Sequence, residues 1–156
     1  MSASRLRVVA IASSGGHWMQ LRRMASAFPD DTIWVSTNAD HASEVAPGCY
    51  RHVPDANRWN KPRLIWAAFR IALMVLLIRP THLVTTGAAP GWFALVFARF
   101  LGARTLWIDS IANAEELSLS GSQARRWATE VWTQWPDLVE EPDGRRAGVT
   151  NHGSVL

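Results

Sequence analysis

The sequence predicts an α/β fold with a mostly parallel sheet that has helices on both of its faces. Short apolar runs alternate with helix-like segments, turns of small residues follow two of these runs, and 156 residues suit one domain with a sizeable core. Strands that alternate with helices form right-handed crossovers and therefore a parallel sheet. Such a sheet binds its ligands at the carboxyl ends of the strands.

The predicted elements follow one another in a regular order. Strands are expected at 7–12, 32–36, 50–53, 82–86 and 104–108, and helices at 18–28, 62–78 and 92–101. The strands are short β-branched runs bounded by turn residues. The first helix shows apolar residues at three- and four-residue spacing and stops at Pro29. We predict one domain over residues 5–136 and a polar surface tail over 137–156, with disorder of that tail left open, because no apolar period continues there.

The composition limits the class of protein. Hydrophobic residues make up 48% of the chain and charged residues 19%, which is typical of a globular protein. The single cysteine, Cys49, excludes an internal disulfide and favours a reducing compartment. No secretory signal is evident. The net charge of +3 divides into +7 for residues 1–105 and −4 for 106–156, so the first part suits an anionic membrane or an anionic ligand.

The most informative stretch is residues 13–21, where two glycines and a histidine follow the first strand. A strand that ends in a glycine turn and leads into a helix points backbone N–H groups at a ligand above it. His17 stands in the first turn of that helix, where a neutral imidazole can take a proton from a hydroxyl. The loop is neither a dinucleotide fingerprint nor a Walker loop. The alternative is an ordinary turn in which the histidine caps the helix.

Two more turns fall on the same predicted edge of the sheet. Residues 86–91 form a small-residue turn that would let a ligand approach closely, with plain turn chemistry as the alternative. Asp109 and Ser110 follow the fifth strand and are expected to bind a hydroxyl or to orient His17. The other histidines lack the spacing of metal ligands, so we expect no metal site.

The segment 64–78 is apolar at every position except Arg70. Its 15 residues span roughly 22 Å at about 1.5 Å each, which is short of the ~30 Å hydrocarbon core of a bilayer. Its basic and tryptophan-rich flanks favour a helix that lies in the membrane interface, and a crossover helix buried on the sheet is the alternative. The residues predicted to contact the membrane are Trp59, Lys61, Arg63, Trp66, Phe69, Arg70 and Arg79.

Four stretches of the chain resemble motifs of a known family. They are Ser14-Gly15-Gly16-His17, the turn at 87–91, Ile108-Asp109-Ser110 with Leu117-Ser118-Leu119-Ser120-Gly121, and Gln134-Trp135-Pro136. In this order they are similar to the membrane-associated, acceptor-side subunit of the two-part UDP-N-acetylglucosamine transferase of lipid-linked oligosaccharide synthesis. The resemblance covers roughly residues 7–136 and is greatest to the bacterial counterparts that build capsule and exopolysaccharide.

The resemblance implies a Rossmann-like N-terminal half of a GT-B glycosyltransferase, active only together with a donor-binding subunit that holds the UDP-sugar. This half would bind a polyprenyl-diphosphate-linked glycan acceptor at the cytoplasmic face of the inner membrane, as a peripheral protein, without a cofactor and without nucleic acid. His17 is carried over as the catalytic base or an acceptor-binding residue. The expected acceptor or phosphate contacts are Ser14, Gly15, Gly16, Gly87, Ala88, Asp109 and Ser110.

The sequence departs from the family pattern at a few positions. Ser13 stands where a glycine is common, the second turn contains an additional alanine, and Asp109 stands where glutamate is commoner. The family's N-terminal transmembrane anchor is not seen, so attachment is expected to depend on residues 62–78. Two other functions remain open: a membrane scaffold without catalytic residues, and a free-standing nucleotide-binding protein.

Overall fold

The computed structural model describes residues 6–55 and 59–154 of the chain. Seven strands form one sheet in the order β3-β2-β1-β4-β5-β6-β7, and every neighbouring pair is parallel. The strands are β1 (Val8–Ala12), β2 (Ile33–Ser36), β3 (Tyr50–His52), β4 (His82–Thr85), β5 (Arg104–Ile108), β6 (Glu130–Thr133) and β7 (Val149–Asn151). The predicted α/β fold with its parallel sheet is therefore confirmed.

The helices connect these strands and cover both faces of the sheet. They are α1 (Gly16–Arg23), α2 (Lys61–Ile78), α3 (Ala88–Phe100) and α4 (Leu119–Ala124), with 3₁₀ turns at Ala25–Ala27, Ala39–Glu44 and Pro136–Leu138. Alternate side chains of β1 point to opposite faces. Val9 and Ile11 belong to the core beneath α2 and α3, whereas Ala10 and Ala12 pack with α1.

Some element boundaries differ from the prediction for local reasons. The predicted helix at 18–28 ends at Arg23 and is followed by a 3₁₀ turn. Helix α3 begins at Ala88 rather than at residue 92, because Gly87 is its N-cap and proline is tolerated in a first turn. Helix α2 begins at Lys61, where the Asn60 side chain accepts a hydrogen bond from the Arg63 N–H at 3.1 Å. The sequence did not predict α4 or β6.

The end of the chain corrects the prediction of a polar surface tail at 137–156. Strand β7 lies within that range, pairs with β6, and buries Val149 completely. The Arg125 side chain is 7% exposed; it donates to the carbonyl of Ala147 at 2.9 Å and forms an ion pair with Glu140. These contacts attach the segment to the domain. Residue 5, the predicted start of the domain, and residues 155–156 lie outside the described residues.

Candidate active site

His17 is fixed between the turns that follow the neighbouring strands β1 and β4. Its Nδ1 lies 2.8 Å from the carbonyl oxygen of Thr86, and the Thr86 hydroxyl donates to the His17 carbonyl at 2.6 Å. Because a carbonyl can only accept, we infer that Nδ1 carries the hydrogen, which leaves the lone pair of the neutral ring on Nε2. In this tautomer Nε2 is the ring nitrogen that can accept a proton.

Gly87 gives the His17 ring its space. A Cβ added at Gly87 would lie 2.8 Å from His17 Cε1 and 2.9 Å from Nδ1, and the φ of Gly87 is 130°, a value that suits glycine. The next residue, Ala88, also has a positive φ of 64°. A strained non-glycine residue costs about 1–3 kcal/mol, and such residues concentrate at functional sites.

Two helices begin beside His17 with their N-terminal N–H groups uncapped by side chains. Gly15 is the N-cap of α1 and Gly87 that of α3, so neither helix has a capping side chain. Helix N-termini of this kind attract anions. A Cβ built at Gly15 or at Gly16 meets nothing within 4 Å, so the space above the loop is open to a ligand. The exposed Ser14 donates its N–H to Thr37 Oγ1 at 3.0 Å, which holds the loop.

Asp109 is buried near the candidate site and is hydrogen-bonded to residues of its own loop and of the segment before α4. Its buried carboxylate accepts four hydrogen bonds, from Trp107 Nε1 (3.0 Å), Asn113 Nδ2 (3.1 Å), the Ser118 N–H (2.8 Å) and the Ser118 hydroxyl (2.6 Å). Four donors match the roughly four lone-pair positions of a carboxylate. Asp109 therefore neither orients His17, which is bonded to Thr86, nor offers a free oxygen, and its prediction as an acceptor-binding residue is corrected. Ser110 is half-buried, and its hydroxyl accepts the Ala112 N–H at 3.3 Å.

Other motifs identified in the sequence contact Asp109 or the loop that follows it. A Cβ at Gly121 would lie 2.7 Å from Asp109 Oδ1, so the glycine that ends the Leu-Ser-Leu-Ser-Gly run makes room for Asp109. The buried Gln20 of α1 donates to the Asp109 carbonyl at 3.1 Å. Trp135 Nε1 donates to the Ile111 carbonyl at 2.8 Å, so the Gln-Trp-Pro motif is bonded to the same loop after β5.

Sequence reasoning found His17 and both glycine turns but missed the residues that hold them. Thr86 is fully buried and anchors His17, yet threonine at a strand end is ordinary in sequence. Gln20 carried no signal beyond its place in an amphipathic helix. Within residues 6–55 and 59–154 no group of three or more His, Cys, Asp or Glu side chains is placed to hold a metal ion.

Helix α2 shows two different faces. Ala67, Ile71 and Val75 are buried at four-residue spacing, and Ile71 and Val75 belong to the core that α2 and α3 share with the sheet. The opposite face is apolar and exposed, at Ile65, Trp66, Phe69, Leu73, Leu76 and Leu77. The seven residues predicted to contact a membrane are all exposed, and Arg70 lies 5.7 Å from the centre of the Trp66 ring. None of the helices in the described part of the chain has the length and hydropathy needed to cross a bilayer.

Solved structures define the class of this fold. MurG of Acinetobacter baumannii superimposes with a TM-score of 0.70 at 17% identity, over 93% of this chain and 45% of MurG. A UDP-GlcNAc 2-epimerase of Methanocaldococcus jannaschii superimposes with a TM-score of 0.62 at 10% identity, over 82% of this chain and 39% of the epimerase. The fold is that of the Rossmann-like N-terminal half of a GT-B glycosyltransferase.

One curated protein is similar to this chain in sequence and not only in fold. The UDP-N-acetylglucosamine transferase subunit ALG14 of Eremothecium gossypii is 33% identical over 81 residues, which is 48% of this chain and 36% of ALG14. No protein-family model matches the chain. The matched region spans about a third of ALG14, and the chain spans less than half of either solved structure.

Proposed function

We propose that this chain is the acceptor-side subunit of a two-part glycosyltransferase. The enzyme would transfer a sugar from a UDP-sugar to a polyprenyl-diphosphate-linked acceptor in exopolysaccharide or oligosaccharide synthesis. The observation that carries the proposal is the His17 ring, held by Thr86 between two helix N-termini that are suited to an anion. The similarity to ALG14, a subunit of a UDP-N-acetylglucosamine transferase, supports the two-part arrangement.

The geometry suits a direct displacement at the sugar. The acceptor hydroxyl attacks the anomeric carbon, a carbon–oxygen bond forms to the acceptor, and the bond to UDP breaks with inversion. Nε2 of His17 takes the hydroxyl proton, and the N–H groups at the start of α1 and α3 bind the acceptor diphosphate. UDP leaves with the electron pair of the broken bond.

The exposed apolar face of α2 gives the subunit a means of peripheral attachment. Apolar side chains would enter the interface of the inner membrane at its cytoplasmic face, and the basic residues around them would contact anionic head groups. The donor-binding subunit would then cover the carboxyl edge of the sheet, where His17 lies. A complete site therefore needs this chain, its lipid-linked acceptor and the partner that binds the UDP-sugar.

Replacement of His17 tests the catalytic part of the proposal. We expect His17→Ala and His17→Gln, each combined with a donor-binding chain, to reduce UDP release by about 100-fold or more, since general base catalysis contributes about 10²–10⁴-fold. His82→Ala, at a half-buried histidine that begins β4 at the opposite, amino edge of the sheet, is the control and should retain turnover. Unchanged turnover in the His17 variants, with the complex intact, would leave only the membrane scaffold.

A further inference from the structure

Two side chains hold the start of α1 against the ends of two neighbouring strands. His17 and Gln20 are three residues apart, so they lie on the same side of the helix. His17 contacts Thr86, which follows β4, and Gln20 contacts Asp109, which follows β5. Strands β4 and β5 are adjacent in the sheet. The helix that carries His17 is therefore attached at two points along the carboxyl edge.

The contact between His17 and Thr86 is reciprocal. Nδ1 of His17 lies 2.8 Å from the Thr86 carbonyl oxygen, and the Thr86 hydroxyl donates to the His17 carbonyl at 2.6 Å. Thr86 is fully buried, and a β-branched side chain has few rotamers open to it. The Thr86 hydroxyl thus holds the main chain of His17, while the Thr86 carbonyl holds the ring.

The packing of the His17 ring against Gly87 gives Nε2 its direction. A Cβ added at Gly87 would lie 2.8 Å from Cε1 of the ring, 2.9 Å from Nδ1 and 3.6 Å from Nε2. Nε2 is therefore the one of these three ring atoms that lies farthest from the wall of the site. A general base must lie within about 2.6–3.2 Å of the group whose proton it takes, so rotation of the ring would remove its reach.

Gln20 forms the second attachment. Its side chain is buried, and its amide nitrogen donates to the main-chain carbonyl of Asp109 at 3.1 Å. The Asp109 carboxylate accepts four hydrogen bonds, so this residue is a well-fixed acceptor. A buried amide costs free energy unless it is hydrogen-bonded. The bond to Asp109 therefore sets the position of α1 relative to the end of β5.

We propose that Thr86 and Gln20 are positioning residues for His17. Thr86 fixes the direction and the tautomer of the imidazole, and Gln20 fixes the helix that carries it. The inference rests on the proposed function, in which Nε2 of His17 takes the proton of the acceptor hydroxyl. Both side chains are buried and act through His17, so their loss lowers kcat more than it changes KM.

The tautomer of His17 can be measured in the chain alone, without a partner. In protein labelled with ¹⁵N-histidine, two-bond ¹H–¹⁵N spectra at mildly alkaline pH distinguish the protonated ring nitrogen from the one that carries the lone pair. His17→Gln identifies the His17 signals among the five histidines. We expect the wild type and Thr86→Ser to show the Nδ1–H form, and Thr86→Val, which keeps the shape of threonine without its hydroxyl, to show both forms.

Thr81→Val is the matched control at the amino end of the same strand. The Thr81 hydroxyl donates to the Arg7 carbonyl at 3.2 Å, so this substitution also removes a hydroxyl hydrogen bond, but at the edge of the sheet opposite His17. We expect Thr81→Val to keep the single tautomer and the turnover of the wild type. A mixture of tautomers in the wild type, or an equal mixture in Thr81→Val and Thr86→Val, would overturn the role of Thr86.

Turnover of the complex tests both residues. With a donor-binding chain added, we expect Thr86→Val and Gln20→Met each to lower kcat by about tenfold at unchanged KM for the UDP-sugar, because a small misplacement of a catalytic group can cost up to about 100-fold. Thr86→Ser should restore the wild-type rate. Gln20→Met should keep the single tautomer, since Thr86 still holds the ring; a mixture there would overturn the division of roles.

The outcomes separate this inference from the proposed function. Full turnover in Thr86→Val, or equal losses in Thr86→Val and Thr81→Val, overturns the positioning role even where turnover still depends on His17. Turnover that does not depend on His17 overturns the proposed function, whatever tautomer the isolated chain shows.

Discussion

The glycines around His17 serve two different purposes, and the space around each one distinguishes them. Gly87 and Gly121 are packed against buried side chains, so each makes room for a group that builds the site. Gly15 and Gly16 face open space, so their small size leaves room above the loop, and the φ of 79° at Gly15 also favours glycine. Substitution at the first pair should therefore act on the framework, and substitution at the second pair on binding.

Gly121→Ala tests the framework at a single residue. The new methyl group would meet Asp109 Oδ1 at 2.7 Å and both Ser118 Oγ and Trp107 Nε1 at 3.0 Å, so the buried carboxylate would lose hydrogen bonds. We expect a loss of about 1–3 kcal/mol in the free energy of unfolding, measured by urea denaturation. Gly16→Ala, which meets no atom within 4 Å at a helical position, should be at least as stable as the wild type. Equal stability of all three proteins would contradict this account of Asp109.

Tyr50 gives the fold a dependence on alkaline pH. Burial raises the pKa of its phenol above 10.0, the nearby Glu44 and Asp40 raise it further, and its hydrogen bond to Ser36 opposes them. The folded state therefore favours the neutral phenol, and this contribution is complete below the unfolded pKa and is lost as the pH rises above it.

We expect the free energy of unfolding of the wild type to fall more steeply above pH 10 than that of Tyr50→Phe, which has no phenol to ionise. Denaturation at several pH values measures the difference. The chain has a single tyrosine, so the near-ultraviolet absorbance of tyrosinate reports Tyr50 directly. A Tyr50 that ionises at its ordinary pKa, or parallel pH profiles of the two proteins, would refute the prediction.

At the scale of elements, α2 shows why the two interpretations of its sequence did not exclude each other. A helix with apolar residues all round is usually buried on every side. Here Ala67, Ile71 and Val75 are buried on one face, while Ile65 and Leu76 remain exposed on the other. The first face explains the packing of the domain, and the second is exposed and is the face that we propose contacts a membrane.

Ile65→Ser with Leu76→Ser tests the membrane role of this exposed face. Both side chains are at least half exposed, so the fold should tolerate the change. We expect the double variant to bind anionic vesicles about 100-fold more weakly or worse in a sedimentation assay, because burial of each apolar side chain contributes about 1.5–3 kcal/mol and tenfold corresponds to about 1.4 kcal/mol. Leu119→Ser, at an exposed leucine on α4, is the control. If the wild-type chain fails to bind such vesicles even at low salt, α2 has no membrane role.

Over the whole molecule, the sequence predicted the strands that are defined by their own apolar residues. It did not predict the strands that depend on contacts with distant residues. The central strand β1 is buried at all five positions and bounded by small residues, so its sequence was sufficient to identify it. Strand β7 is three residues long and buries only Val149, and its order depends on Arg125 and on pairing with β6. Such contacts between distant residues leave no periodic signal in the sequence.

The same distinction applies to the candidate site. The turns that carry His17 and Gly87 were predicted because strand ends followed by glycines gather at one edge of a parallel sheet. The hydrogen bonds that decide the roles of His17 and Asp109 were not predictable, since they join residues 69 and 9 positions apart in the chain. Hence the place of the candidate site was predicted from the pattern, and the different hydrogen-bond partners of His17 and Asp109 became visible only in the structure.

The arrangement of the whole molecule leads to a prediction about partners. The described residues form one Rossmann-like sheet with one candidate site at its carboxyl edge, where His17 stands beside an open glycine loop. That loop lacks the fingerprints by which a Rossmann-type sheet or a P-loop holds a nucleotide by itself. We therefore expect the purified 156-residue chain to bind a UDP-sugar weakly and to release no UDP above background. A donor-binding chain should supply both activities when it forms a complex with this one.

Calorimetric titration with UDP-N-acetylglucosamine and a coupled assay for UDP measure the two quantities, first with the chain alone and then with the partner added. His17→Ala should form the same complex in size-exclusion chromatography but lack its turnover, which separates assembly from catalysis. Saturable sugar transfer by the isolated chain would contradict a two-part enzyme. Tight binding of the UDP-sugar without transfer would instead favour a free-standing nucleotide-binding protein, because an acceptor-side subunit has no need of its own nucleotide site.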